Sequence, residues 1–310
     1  MRRLNVLAAV GGMMLLVVVG TGGLAKAAHR GTNGRISFAA LPAGHISTMD
    51  ADGSDVQSLT RGLISHWSAD GRKIAFDDGN NNRVEVFTMN ADGSGRHRVT
   101  HLDGINGDPS WSPDGTLLAF DRLPANGCCG NIWTVHPDGT GLHQVTHFTS
   151  SNPAVEPEFS PDGRQIAFFR MPPGRSKRVA IFVMRADGSH IRQVTPLRMD
   201  AAHPKWSPDG TKLIFNNDFQ LVDGKAIGDI FTIRPNGTGL NQITHVARLG
   251  EADYRPDYSP DGTMIVFNQL IPKQHPNVLT MSADGTSPKV IQPNAFAPDW
   301  GPLSSLMNSR

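Results

Sequence analysis

The sequence predicts an all-β protein, a six-bladed β-propeller of four-stranded antiparallel blades. Three observations carry that reading. A phrase of aromatic-Ser-Pro-Asp-Gly followed by an apolar run ending in Phe recurs at 67–76, 111–120, 159–168, 206–215 and 258–267. The copies are spaced 44, 48, 47 and 52 residues apart. A second phrase, a β-rich run broken by Asp-Gly or Asn-Gly, recurs six times, at 46–60, 86–100, 132–146, 181–195, 230–244 and 278–292. A repeat of this length is one supersecondary unit that buries its faces only against its neighbours.

Each element follows from local chemistry. In the third repeat, strand A lies around Pro109–Ser112 and strand B at Leu117–Asp121. The turn between them, Ser112-Pro113-Asp114-Gly115, has Pro to preset φ, Asp to bond its own backbone and Gly to close. Strand C is Ile132–His136 and strand D Leu142–Thr146, joined by a Pro-Asp-Gly-Thr hairpin turn. The first repeat starts at strand B, as GRISF (34–38), and the last segment, APDWGP (297–302), is a strand A with nothing after it. The last strand is therefore expected to complete the first blade and close the ring, which removes exposed sheet edges. Closure supplies every blade with an aromatic (Trp67, Trp111, Phe159, Trp206, Tyr258, Trp300) and a strand B Phe (Phe38, Phe76, Phe120, Phe168, Phe215, Phe267). These twelve rings are expected to pack blade against blade.

The N-terminus reads differently. Arg2 and Arg3 precede an uncharged stretch from Leu4 to Ala25, and Ala25-Lys26-Ala27 offers small residues at −3 and −1. Residues 1–27 read as a secretory signal cleaved after Ala27. An uncleaved membrane anchor is the competing reading, since the stretch approaches the ~20 residues that span a bilayer. Residues 28–310 are expected to form a single propeller domain, exported to the periplasm, the cell envelope or the medium. The only contact with a membrane would be through an uncleaved N-terminal segment. The two cysteines, Cys128 and Cys129, are adjacent, so a vicinal disulfide and two free thiols are both open.

Net charge is +1 for the chain. Residues 1–27 hold three cations and no acid, so the remainder has 26 cations against 28 acids, or −2. That balance excludes a strongly basic nucleic-acid binder. No nucleic-acid partner is expected, and the chain is expected to be a monomer.

Strand direction puts all A–B and C–D turns on one face. The irregular B–C loops and the D–A connections fall on the other, where function usually resides. Four strands A open on that face with X-Pro: Asp108-Pro109, Glu156-Pro157, His203-Pro204 and Arg255-Pro256. These X residues are expected to ring the channel mouth as a ligand-binding set. Asp108, Glu156 and His203 are also candidate ligands for a divalent cation such as Ca²⁺ or Mn²⁺. The alternative is that they hydrate the channel or pair with one another and with Arg255. His101, His147 and His245 follow a strand D Thr at one phased position and are read as blade-junction hydrogen-bonders. His66, before Trp67, is read as packing.

The SPDG-x-x-I-A-F phrase resembles the WD40-like PD40 repeat of the TolB family of six-bladed propellers, over about residues 34–302. The same repeat builds the propellers of prolyl-oligopeptidase-type and tricorn-type peptidases. TolB itself carries an α/β domain ahead of its propeller, and only residues 28–33 lie between the export segment and the first repeat. The peptidases carry a G-x-S-x-G hydrolase domain, and this chain contains no G-x-S-x-G. The resemblance implies a non-catalytic scaffold that binds an envelope or extracellular protein, peptide or glycan. Oligogalacturonate lyases look like the same repeat family and use a metal. That implies the second reading, a metal-dependent polysaccharide lyase or hydrolase. Asp108, Glu156 and His203 would be its ligands, with Arg255 holding a substrate carboxylate.

Overall fold

The computed structural model describes residues 31–304, apart from 81, 128, 150–151, 173–177, 218–219 and 223–224. The expected export segment, residues 1–27, lies outside the described residues. No helix among the described residues is long and apolar enough to cross a membrane.

The first repeat holds β1 (Asn33–Ala40), β2 (His45–Met49) and β3 (Gln57–Arg61). The second holds β4 (Ser65–Trp67), β5 (Lys73–Asn80), β6 (Arg83–Asn90) and β7 (His97–Arg98). The third holds β8 (Ile105–Trp111), β9 (Leu118–Leu123), β10 (Asn131–Val135) and β11 (His143–Gln144). The fourth holds β12 (Ala154–Phe159), β13 (Gln165–Arg170), β14 (Ala180–Arg185) and β15 (Arg192–Gln193). The fifth holds β16 (Ala202–Trp206), β17 (Leu213–Asn216), a β18 (Gln220–Val222) and β19 (Lys225–Ile227) hairpin, β20 (Ile230–Ile233) and β21 (Asn241–Gln242). The sixth holds β22 (Ala252–Tyr258), β23 (Met264–Leu270), β24 (Asn277–Ser282) and β25 (Lys289–Gln292), and β26 (Ala295–Pro302) follows.

These strands form a propeller-like array of antiparallel four-stranded blades. The strands do not divide into the six separate sheets expected. Four blades stand as separate sheets, and the second and third repeats share one eight-stranded sheet. The two halves of that sheet meet where Val84 of β6 pairs in parallel with Ile105 of β8.

The expected closure is present. β26 pairs antiparallel with β1, setting Trp300 opposite Ile36 and Asp299 opposite Ser37. Trp300 Nε1 donates to the Gly34 carbonyl at 3.3 Å. Beyond it the chain runs against the second repeat, where a Cβ on Gly301 would lie 2.4 Å from the Trp67 ring. Only glycine fits there.

The A–B turns repeat one bonding pattern. Ser112 Oγ donates to Asp114 Oδ1 at 2.6 Å, and the Leu117 N–H donates back to Ser112 Oγ at 2.9 Å. Gly115 closes the turn with φ 70, a conformation that glycine adopts without a Cβ penalty. Ser160 with Asp162, Ser207 with Asp209 and Ser259 with Asp261 do the same.

The twelve phased aromatics are buried, and the six strand B phenylalanines are at most 1 % exposed. The apolar clusters among the described residues join consecutive repeats rather than filling single ones. Ala75 and Val86 of the second meet Trp111 and Phe120 of the third. Val266 and Val278 of the sixth meet Ile36, Phe38 and Trp300 at the closure. Trp300→Ala should therefore lower unfolding free energy by about 3–5 kcal/mol, the usual cost of truncating a core aromatic. Urea unfolding measures it, and a variant as stable as the parent would show that closure contributes nothing.

Candidate functional site

The inner strands converge on a central channel. At its mouth five of them carry a kink. Asp108, Glu156, His203 and Arg255 have φ of 38, 50, 55 and 49. The pairing register slips at each of them, between Gly107 and Ser110, Val155 and Glu158, Ala202 and Lys205, and Tyr254 and Asp257. These are β-bulges, which re-aim a side chain at a cost in backbone strain. A fifth X-Pro, Ala297-Pro298, has φ 52 at Ala297 and belongs to the same set.

The neighbouring repeat holds several of the bulges. Asp77 Oδ2 accepts from the Asp108 N–H at 3.3 Å, Asn216 Oδ1 from Arg255 N–H at 3.2 Å and Asn268 Oδ1 from Ala297 N–H at 2.8 Å. Each acceptor follows its strand B Phe directly, so a phased Asp or Asn positions the mouth residue of the next blade.

The structure places all four predicted mouth residues around one cavity, with Ile64, His66, Glu158 and Lys205. The space in it open to the centres of water molecules is about 30 Å³, room for a few waters at about 10–15 Å³ each. Arg255 Nη2 donates to Glu156 Oε1 at 2.8 Å, and His203 Nδ1 lies 2.6 Å from Glu156 Oε2. Arg255 Nη1 stands 3.7 Å from Asp108 Oδ1. Both Glu156 oxygens are thus engaged, and the cation among these acids is a guanidinium. The set does not fit a metal ion in this arrangement. Among the described residues no group of three or more His, Cys, Asp or Glu could hold one. Arg255, a candidate for a substrate carboxylate, is held by the protein's own Glu156 and Asp108.

Charge is unevenly balanced here. Burial alone would raise Glu156, but Arg255 and His203 pull it down to about 2. Burial, then Glu156, push Asp108 well above the usual carboxylate range, against Arg255. Asp108 accepts no hydrogen bond among the described residues. Burial raises Asp77 to about 6 and Asp121 well above its usual range. Burial holds the His203 imidazole below its ordinary value, although Glu156 opposes this.

One step down the strands lies a second ring, which sequence reasoning missed. Lys205 Nζ sits 2.7 Å from His66 Nδ1, 3.1 Å from Glu158 Oε2 and 3.0 Å from Asp299 Oδ1. This one ammonium ties the second, fourth and fifth repeats to the closing strand across the channel. Burial would lower Lys205, but Glu158 and Asp299 outweigh it and raise it. Asp299 Oδ2 also accepts from the Trp67 N–H at 2.8 Å, and Asp257 Oδ2 from the Trp300 N–H at 2.9 Å. His66 is therefore part of a polar bolt rather than packing. The available signal was positional: each of these residues directly precedes the phased aromatic.

His101, His147 and His245 are exposed and make no hydrogen bond among the described residues. The phased threonines before them do the work expected of the histidines. Thr100, Thr146 and Thr244 accept from the N–H of Val86, Ile132 and Ile230 at 2.9 to 3.0 Å. Cys129 is disulfide-bonded, and Cys128 lies outside the described residues.

A family model described as the TolB beta propeller domain, PD40, matches residues 33–304. The Tol-Pal system protein TolB of Francisella tularensis subsp. holarctica is 28% identical over 221 residues, 71% of this chain and 48% of that protein. The chain spans about half the length of the curated TolB relatives it matches over that stretch. The crystal structure of TolB from Acinetobacter baumannii superposes with a TM-score of 0.70 at 23% identity, over 87% of this chain and 67% of that one. An oligogalacturonate lyase solved in complex with manganese gives 0.56 at 14% identity, over 80% and 70% of the two chains, a likeness of fold alone.

The buried acids set a pH dependence. Asp77, Asp108, Asp121, Asp253 and Asp257 all hold protons more tightly folded than unfolded. Folding thus takes up protons between the ordinary carboxylate value of 3.8 and about 7. Stability falls as pH rises through that window, and the single His203 acts in the opposite sense. The melting temperature should be higher at pH 5 than at pH 8. Asp108→Asn should stabilise the fold at pH 8, and by less at pH 5. A flat profile, or a variant weakened at pH 8, would contradict the charge assignment.

Proposed function

The chain belongs to the TolB β-propeller family, and from that premise we propose that it is a non-catalytic binding scaffold, working outside the cytoplasm, that engages an envelope or extracellular protein through its mouth face. The observation that carries this is the self-satisfied mouth. Glu156 is spent on Arg255 and His203, and only about 30 Å³ of the cavity is open to the centres of water molecules. A sugar ring or a peptide segment has no room in the channel as it stands. Recognition then falls to the loops around the mouth, which differ from repeat to repeat on a rigid frame. The kinked strands and the Lys205 bolt keep that rim in place, which limits the ordering cost of docking a partner.

The name of the curated relative, a Tol-Pal system protein, supports an envelope setting for the partner. The Arg-Lys pattern and A-x-A site of residues 1–27 support export. The lyase reading has less support, because the candidate ligands Asp108, Glu156 and His203 are committed to an ion-pair network with Arg255.

Photo-crosslinking separates the readings. A photoreactive residue at His101, His147 or His245, exposed at the D–A connections, should capture one discrete envelope protein. The same residue at Thr116 or Thr211, in the A–B turns, should not. Equal capture from both faces would overturn the mouth-face assignment. Manganese-dependent cleavage of polygalacturonate by the purified chain, lost in Asp108→Ala, would replace the scaffold with the lyase.

A further inference from the structure

The repeat supplies its own control for what the fold requires. At the start of strand D, the third, fourth and fifth repeats carry Leu142, Ile191 and Leu240, followed two residues on by Gln144, Gln193 and Gln242. Each Gln Nε2 donates to the carbonyl of the Thr two residues further, at 2.8, 2.7 and 2.9 Å. The second repeat has Arg96 and Arg98 at these two positions. Arg98 Nε makes the same bond, to the Thr100 carbonyl at 2.8 Å. Glutamine would therefore serve the fold, and the guanidinium is an addition to it.

The additions are organised into a groove. Glu85, 4 % exposed, accepts from Arg83 Nε at 3.0 Å and Arg98 Nη2 at 2.5 Å. Asp78 is shared by Arg61 Nε at 3.1 Å and Arg96 Nη2 at 2.6 Å. Four guanidiniums against two carboxylates leave a local charge of +2. Arg61, Arg83 and Arg98, with Asn80 and Phe87, line a groove of about 320 Å³. Both Nη groups of Arg83 and one each of Arg61 and Arg98 have no partner among the described residues. The open Nη pair of Arg83 matches a carboxylate in bidentate geometry, and Arg61 and Arg98 each add one further donor.

We infer that this groove, on the outer flank of the second repeat and apart from the mouth, docks an acidic segment of a protein partner. Its Asp or Glu side chains would meet the open Nη groups of Arg61, Arg83 and Arg98. Phe87, the one aromatic lining the groove, stacks on Phe76 at 5.5 Å and lies 4.4 Å from the Arg96 guanidinium, and an acidic glycan is the alternative that the test below separates.

The test uses the purified full chain and a fluorescein-labelled octaglutamate peptide, read by fluorescence polarisation. The peptide should bind at low salt and weaken as salt screens the contacts. Two variants leave the mouth residues untouched. Glu85→Asn with Arg96→Leu and Arg98→Gln gives the second repeat the side chains of the third. Arg61→Gln with Arg83→Gln alters only exposed side chains, and it decides the matter if the first variant fails to fold. Each folded variant should lose affinity at least tenfold. Unchanged affinity in the folded variants would overturn the inference. So would failure of the parent to bind octaglutamate, or its preference for labelled oligogalacturonate. Neither result bears on crosslinking at the mouth face.

Discussion

The constraint on which everything else depends is that no repeat can bury its own aromatics. Each phased Trp, Phe or Tyr and each strand B Phe is covered by the preceding repeat around the ring, and the apolar clusters all straddle a boundary between repeats. A linear stack would leave both end faces wet. The pairing of β26 with β1 removes those ends. The chain termini then become the most strongly coupled part of the fold, with Trp300 seated against the first repeat and Gly301 pressed on Trp67 of the second.

Closure has an electrostatic consequence. Inner strands drawn to one axis bring their polar side chains together in a space that admits almost no water. Buried carboxylates then need partners, and Arg255 and Lys205 are placed to supply them. Lys205 meets two acids and His66 at hydrogen-bond distance. Arg255 satisfies Glu156 but reaches Asp108 only at 3.7 Å, which leaves Asp108 the least compensated group in the ring. Breaking such pairs costs far more than their net worth, because the remaining charge stays buried. The channel is therefore rigid, and a rigid channel frames a fixed rim of loops.

The repeats also separate what the fold needs from what it does not. Where most copies carry the same chemistry, as in five Ser-Asp turns and four Thr acceptors, the residue holds a blade together. Where one copy departs while keeping the shared bond, as Arg98 does, the departure calls for a reason beyond folding. The mouth residues are a mixed case. Their backbone kink is common to five strands, while their side chains differ in each.

Much of the architecture was legible in the sequence because it is local and repeated. The SPDG turns, the phased rings and the unpaired strands at the two ends foretold antiparallel blades and a closing strand, and the X-Pro positions foretold the mouth. What lies across the channel was not legible. Spacing along a strand says that Asp108, Glu156 and His203 reach one ring, but not that Arg255 comes between the acids and pairs with them. Nor could it show that His66, Lys205 and Asp299, far apart in the chain, meet on one ammonium. Periodicity is a property of one blade at a time. Which side chains touch across the axis depends on the angle and slide between blades, and those are settled only when all of the blades have packed and the ring has closed.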